Sequence, residues 1–313
     1  MSETSKQLLL HYTSFEALTS IFNNPATPSM RATHIDFLND TSEYDYGIEK
    51  VLEYLVPYEN DFAIQLDVPR KIARLERLYK RAKRKGLKNV LTIDELNSAT
   101  SSKDPKLLEK LIEQYIKLDY QHLRKDSRPK AYTFSLSKAE DSLYQWQMYC
   151  PHEGGIALGF DTDTRLYTDL IDSTGSFYLK HYADIEKVDY PEKSEKIKPF
   201  RLPNKLDYLR YLEEIEKKAL LLKHPAFAQE QEYRVIFNMN FGTDIKAKNR
   251  GYTTNKPYIE LNFKPANLKR IFVSPKGDQE HTRKLLIYFI QDIPELQHLS
   301  ESDIVISDIP FRS

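Results

Sequence analysis

Apolar positions along the chain recur in two rhythms, one of period near 3.6 and one of period 2, and their succession predicts a mixture of helices and strands. Leu8-Leu9-Leu10-His11-Tyr12-Thr13 reads as a short buried strand, and Ser14 follows as an N-cap. Leu18 and Ile21-Phe22 then predict a helix over 15–22, which Asn23-Asn24-Pro25 stops. An extended piece is expected over 30–37 and a turn at Asn39-Asp40. The next helix carries Ile48, Val51, Leu52 and Leu55 on one face. Residues 131–137 alternate like a strand, 141–149 read as a short helix, and 156–160 form an apolar strand after the Gly154-Gly155 turn. A helix over 208–222 follows, then strands over 232–237, 258–263 and 268–273, a helix over 282–290 and a last strand over 304–306. Strands and helices mix without strict alternation. That predicts the α+β class, with a mixed or antiparallel sheet, rather than a doubly wound parallel one.

The pattern changes over 68–125. Ile72, Leu75, Leu78 and Ala82 recur at helical spacing, as do Leu107, Leu108, Leu111, Ile112, Tyr115, Ile116 and Leu118 after an Asp104-Pro105 helix start. This segment is expected to be a helical insertion within a single α+β domain spanning 1–313. Its basic residues, Arg70-Lys71, Arg74, Arg77, Lys80-Arg81, Lys83-Arg84-Lys85 and Lys88, face a single acid, Glu76. They form either a solvated face or a phosphate-binding surface that brings RNA or DNA to the protein.

Composition narrows the classes. Lys+Arg and Asp+Glu are both 46, so no whole-chain field draws the protein to nucleic acid or membrane. One cysteine, Cys150, excludes an internal disulfide framework and a multi-thiolate zinc site. The polar start Met1-Ser2-Glu3-Thr4-Ser5 lacks secretory or transit character, and the longest apolar runs are too short to span a bilayer. A cytoplasmic, non-membrane protein is expected.

The eight histidines are scattered, and no phosphate-binding glycine loop, dinucleotide fingerprint or HExxH appears, so no metal site is expected. Four polar clusters sit where apolar segments meet turns. His11-Tyr12-Thr13-Ser14 is either a cap with a packed ring pair or a ligand platform. Asn39-Asp40 with Glu43 is either a variant capping box or the border of the same pocket. Ser135 and Ser137 point to one strand face. Asp141, Trp146 and Tyr149 follow, either as cap and core or as the aromatic wall of a cleft. Lys223-His224 precedes Phe227, Glu230, Glu232 and Arg234. Two carboxylates spaced by two repel unless Arg234 or a ligand offsets them.

Together these clusters resemble the bacterial domain-of-unknown-function family 2971. Its pattern runs HYTS…AL.SI, LND..E, FSLS…D.L.QW..Y….G..LGF and KH..F..E.EYR in order. The family carries no assigned activity. A second resemblance does: a strand-borne His before a helix, then Ser-x-Ser, then Glu-x-Glu at a strand start is similar to mono-ADP-ribosyltransferases. That resemblance implies their fold and NAD as substrate. It implies His11 on the adenosine ribose side, Ser135 and Ser137 shaping the nicotinamide pocket, and Glu230 and Glu232 as catalytic carboxylates. Tyr12, Thr13, Ser14, Trp146, Tyr149 and Arg234 would then line the NAD site, and Asn39, Asp40, Glu43 and Asp141 would support it. The expected function is an ADP-ribosyltransferase or NAD glycohydrolase of the kind that serves bacterial toxins and anti-phage defence. Glu232→Gln is expected to abolish turnover and leave the fold intact. The alternatives are a hydrolase or nuclease holding Mg²⁺ with Asp40, Glu43, Glu230 and Glu232, and a binding module without catalysis.

Overall fold

Ser14 ends the first strand and starts the first helix by a single contact, its hydroxyl accepting from the Ala17 amide at 3.1 Å. β1 (Leu8–Thr13) therefore passes directly into α1 (Phe15–Ile21). The computed structural model describes residues 7–38, 43–54, 130–191, 208–239, 245–253 and 255–311. Asn39, Asp40 and the expected helical insertion over 68–125, with its basic stretch from Arg70 to Lys88, lie outside the described residues.

β2 (Ser29–His34) is shorter than the extended piece expected. His34 takes the Asp36 amide on its Nδ1, and the chain turns into a 3-10 helix, Ile35–Phe37. α2 (Glu43–Tyr54), β3 (Ala131–Ser137), α3 (Leu143–Tyr149) and β4 (Ile156–Asp161) come next. β5 (Leu166–Ile171), β6 (Phe177–Ala183) and the short β7 (Ile185–Lys187) lead to α4 (Tyr208–Leu220). A 3-10 turn, Pro225–Glu230, precedes β8 (Glu232–Asn238). β9 (Lys246–Ala247), β10 (Arg250–Thr253), β11 (Lys256–Asn262), β12 (Leu268–Val273), α5 (Gln279–Asp292) and β13 (Ile304–Ile306) complete the chain.

The described strands form one mixed sheet of 13, with the order β13-β12-β4-β1-β3-β2-β11-β5-β6 along its main path. The β12–β13 pair is parallel, and the pairings that flank the pocket described below are antiparallel. β8 pairs β3 along its whole length, and β7 pairs β8. Only Asp184 separates β6 from β7, so the run of pairings from β3 through β2, β11, β5 and β6 returns through β7 and β8 to β3. Pleating sends alternate residues of β1 into different clusters. Leu9 packs with Phe134, Leu136, Leu158 and Val235, whereas Leu10 and Tyr12 pack with Trp146, Cys150 and Phe272. Among the described residues no helix is long and apolar enough to cross a membrane.

The chain divides into two compact units, one of 1–41, 130–190 and 223–313, the other of 42–129 and 191–222. All the described strands belong to the first. In the second, α2 and α4 pack against each other, and they cross so closely that a Cβ on Gly47 would stand 2.0 Å from the Ala219 carbonyl oxygen. Backbone cannot step aside as a side chain can. Gly47→Ala should therefore lose about 1–3 kcal/mol by forcing the helices apart, despite the higher helix propensity of alanine. Chemical denaturation checks this, and an unchanged or raised midpoint would contradict the crossing.

Candidate functional site

β3 is the one strand of the site that meets three others, and the consequence is a split. Along one edge it pairs β8 without interruption from Ala131 to Ser137. Along the other, β1 is in register only at Leu10↔Ser137, and β2 only at Thr33↔Thr133 and His34↔Tyr132. Phe134, Ser135 and Leu136 thus have no register partner on that edge, and a pocket of about 200 Å³ opens beside them. A backbone carbonyl in such a gap needs another partner. His11 supplies it: its Nδ1 stands 3.3 Å from the Ser135 carbonyl oxygen, with its ring against Phe134 at 4.6 Å. A carbonyl only accepts, so Nδ1 carries the proton and Nε2 is left as an acceptor. Burial lowers the His11 pKa to about 4, against the opposing effect of that hydrogen bond, so the ring is neutral at pH 7.

The register explains the rest of the floor. Ser135 lies opposite Arg234 and Ser137 opposite Glu232, so all four side chains share one face of the sheet. Ser135 donates to Glu232 Oε1 at 2.6 Å. Arg234 grips the same carboxylate with both ends of its fork, Nε to Oε1 at 2.7 Å and Nη2 to Oε2 at 2.9 Å. Lys223 bridges the two acids, 2.7 Å from Glu230 Oε2 and 3.0 Å from Glu232 Oε2. All four charged groups are buried. Burial alone would push the Glu232 carboxyl up. The charges of Arg234 and Lys223, with the hydrogen bonds from Arg234 and Ser135, outweigh it and hold Glu232 at about 2. The Tyr190 hydroxyl accepts from the Glu232 amide at 2.9 Å, and burial raises its pKa to about 12.

The two glutamates do not converge by strand pleating, as their spacing suggested. Glu230 ends the 3-10 turn and Glu232 begins β8, and Gln231 between them is left-handed at φ 44°. His224 starts that turn by accepting the Ala226 amide at 3.2 Å. A non-glycine residue in this region is uncommon and costs of order 1 kcal/mol or more. That strain sits at the hinge that delivers both carboxylates.

Of the residues singled out from sequence, His11, Tyr12, Ser135, Ser137, Tyr149, Glu230 and Glu232 border the pocket. Arg234 stands behind Glu232 rather than in the wall. Thr13 is not in the pocket wall, its carbonyl takes the Cys150 thiol, and Ser14 caps α1. Trp146 and Tyr149 divide between the two readings of their cluster. Trp146 is fully buried, edge-on to Tyr12 at 4.7 Å, and donates to Asp141 at 2.8 Å. Tyr149, 39% exposed, forms pocket wall. Asp141, at φ 45°, orients the indole instead of capping α3. Glu43 opens α2 in the second unit. Cys150 is a buried thiol raised to about 12 by burial, which makes it a poor nucleophile.

Three contributors, Gln145, Thr33 and Thr133, escaped the sequence reading, and a fourth, Lys223, headed its polar cluster there without a role in the site. Gln145 donates to the Ser137 hydroxyl and the Glu230 carbonyl, a role that no local pattern announces. Thr33 and Thr133 border the pocket in register across β2 and β3. Among the described residues, no three His, Cys, Asp or Glu side chains gather as a metal ion requires. Lys223 and Arg234 already hold both Glu232 oxygens and Oε2 of Glu230.

No curated protein and no solved structure matches the chain. Residues 145–235, the stretch that runs from Gln145 through both glutamates to Val235, match the model of a family described as a protein of unknown function (DUF2971).

Proposed function

We propose that the pocket cleaves the nicotinamide–ribose bond of NAD and passes ADP-ribose to an acceptor or to water. The observation that supports this best is convergence. His11 lies 124 residues from Ser135, and Ser135 lies 97 from Glu232, yet the three meet at one pocket, joined by hydrogen bonds. These are the positions that the transferase resemblance singles out. Heterolysis leaves the bonding pair on departing nicotinamide and positive charge on the ribose C1′. A carboxylate already ionised and fixed opposes that charge more strongly in the transition state than in the ground state. Water or an acceptor hydroxyl then attacks C1′ and loses its proton. Glu232 is the fixed carboxylate in this reading, and Glu230, one residue beyond the hinge, lies nearer the acceptor. A cavity of about 200 Å³ suits the nicotinamide ring and part of its ribose, with the adenylate half outside. A toxin or anti-phage effector is the biological setting that the resemblance favours, with RNA, DNA or protein as acceptor.

Arg234 favours a second reading. Its bidentate grip offsets the Glu232 charge, which suits a binding pocket without catalysis. One experiment separates the two. The full chain is incubated with labelled NAD and protein, RNA and DNA acceptors, with and without a chelator. Nicotinamide release that survives chelation supports NAD cleavage, and the labelled product names the acceptor. No release, with NAD bound, leaves the binding module. His11→Ala should weaken NAD binding by about 1–3 kcal/mol, through loss of a polar contact and an orphaned Ser135 carbonyl. Unchanged affinity by calorimetry would remove His11 from the site.

A further inference from the structure

Strand pairing lays a row of rings across four neighbouring strands. Tyr132 of β3 stands opposite His34 of β2. The register that sets Thr33 opposite Tyr258 continues to His34 and Pro257, and Pro257 of β11 stands opposite Tyr252 of β10. Opposite residues of antiparallel strands share a face, so Tyr132, His34, Pro257 and Tyr252 form one rank. The His34 and Tyr132 rings meet edge-on at 5.1 Å, and Phe37 closes on His34 at 6.0 Å. The rank ends in solvent. Tyr252 is 84% exposed, the most exposed large aromatic side chain among the described residues, and Phe37 is 41% exposed. The hairpin that carries Tyr252 is held from its other face. There the Tyr258 ring lies on Gly251, where a Cβ would stand 2.7 Å from the phenol oxygen, and Arg31 covers that ring at 4.6 Å.

Charge gathers at the same place. Between Asp244 and Glu260 the chain carries Lys246, Lys248, Arg250 and Lys256 and no acid, although its charges balance overall. Lys248 and Arg250 are exposed. Arg250 lies two residues before Tyr252 on β10 and therefore on the same strand face. Burial raises the Tyr132 pKa, and the Arg250 charge works against it, so the cation reaches along the rank. An acid also touches the rank, Asp36 at 3.6 Å from His34 Nδ1. Cations alone would fit any polyanion. Rings set among them fit one whose bases present open π-faces, which a single strand offers and a duplex or an acidic peptide does not.

We propose that this rank binds single-stranded nucleic acid, with bases stacked from Tyr252 towards Tyr132 and the phosphate backbone following Lys248 and Arg250. The rank adjoins the pocket. Thr33 and Thr133, the chain neighbours of His34 and Tyr132, border it, and so does Leu38, which follows Phe37. A strand seated on the rank therefore reaches the pocket mouth and becomes the acceptor of ADP-ribose. That last role rests on the NAD reading, whereas the binding surface stands without it. Stacking tolerates any base, so little sequence preference is expected from the rank itself.

The test reads binding without NAD. The full chain is titrated into labelled oligonucleotides of about 12 nucleotides, single-stranded and duplex, and fluorescence anisotropy is followed at several salt concentrations. Single strands should bind tighter than duplexes, with affinity falling as salt rises. Tyr252→Ala should weaken single-strand binding by about tenfold at an unchanged melting temperature, since the ring is exposed. Tyr252→Phe keeps the ring and should keep the affinity. Reversing Lys248 and Arg250 to Glu should flatten the salt slope. No binding, duplex bound as tightly as single strands, an acidic peptide competing as well as the oligonucleotide, or binding indifferent to Tyr252→Ala would each overturn the proposal. Binding that depends on Tyr252, with no nicotinamide released from NAD in the presence of the oligonucleotide, would overturn the catalytic reading alone.

Discussion

Glu232→Gln should lose nicotinamide release by at least about 10²–10³-fold, the scale for removal of a preorganised charge at the reacting centre. The structure revises one half of the sequence-based expectation, which was that the fold would not notice. Glu232 balances Lys223 and Arg234 within a buried cluster of two acids and two bases. Neutralising it leaves an uncompensated buried cation, at a cost of about 3–5 kcal/mol. Loss of activity in the single variant is therefore ambiguous by itself. The double variant Glu232→Gln/Arg234→Gln restores the charge balance and keeps one amide pair where the ion pair stood. It should recover much of the lost stability, because contacting residues couple, without recovering turnover. Nicotinamide release near the wild-type rate in the double variant would mean that Glu232 is not the carboxylate that faces the sugar.

What was legible in the sequence follows from how local each signal is. β3, β12 and β13 lie where apolar runs between turn residues put them. The β5–β6 hairpin went unread. β5 does alternate buried and half-buried positions, and Asp172 closes a turn by accepting from Thr174 and Ser176. β6, however, is exposed along most of its length and so carries no alternating pattern, and β7 has only three residues. The split beside β3 is a matter of which strands pair, and pairing between residues 10, 33, 133 and 137 has no signature in any window of the chain. The site shows the same division. His11, Ser135, Glu230 and Glu232 stand out as polar residues at the ends of apolar segments. The hinge at Gln231 does not, because left-handed backbone is usually announced by Gly or Asn. Lys223 and Gln145 owe their importance to partners that only the folded chain supplies.

Lys223→Met should be among the most destabilising single changes in the first unit, at about 3–5 kcal/mol near neutral pH, since it removes the cation that bridges two buried carboxylates and leaves Arg234 on Glu232 alone. Its pH dependence carries the sharper test. In the wild type, Glu232 titrates at about 2 when folded, against an ordinary value of 4.5. A depressed folded pKa means that its contribution is fully present above 4.5 and is lost as pH falls towards 2. Acid therefore weakens the wild-type cluster. Without the lysine, two neighbouring carboxylates repel, and the pair binds a proton more readily when folded than when unfolded. A raised folded pKa gives stability that is present at low pH and is lost as pH rises. The variant should accordingly gain on the wild type as the solution is acidified from pH 7 to pH 5. Urea unfolding at the two pH values measures this directly. A deficit that stays constant or widens towards pH 5 would show that Lys223 does not hold the two carboxylates together.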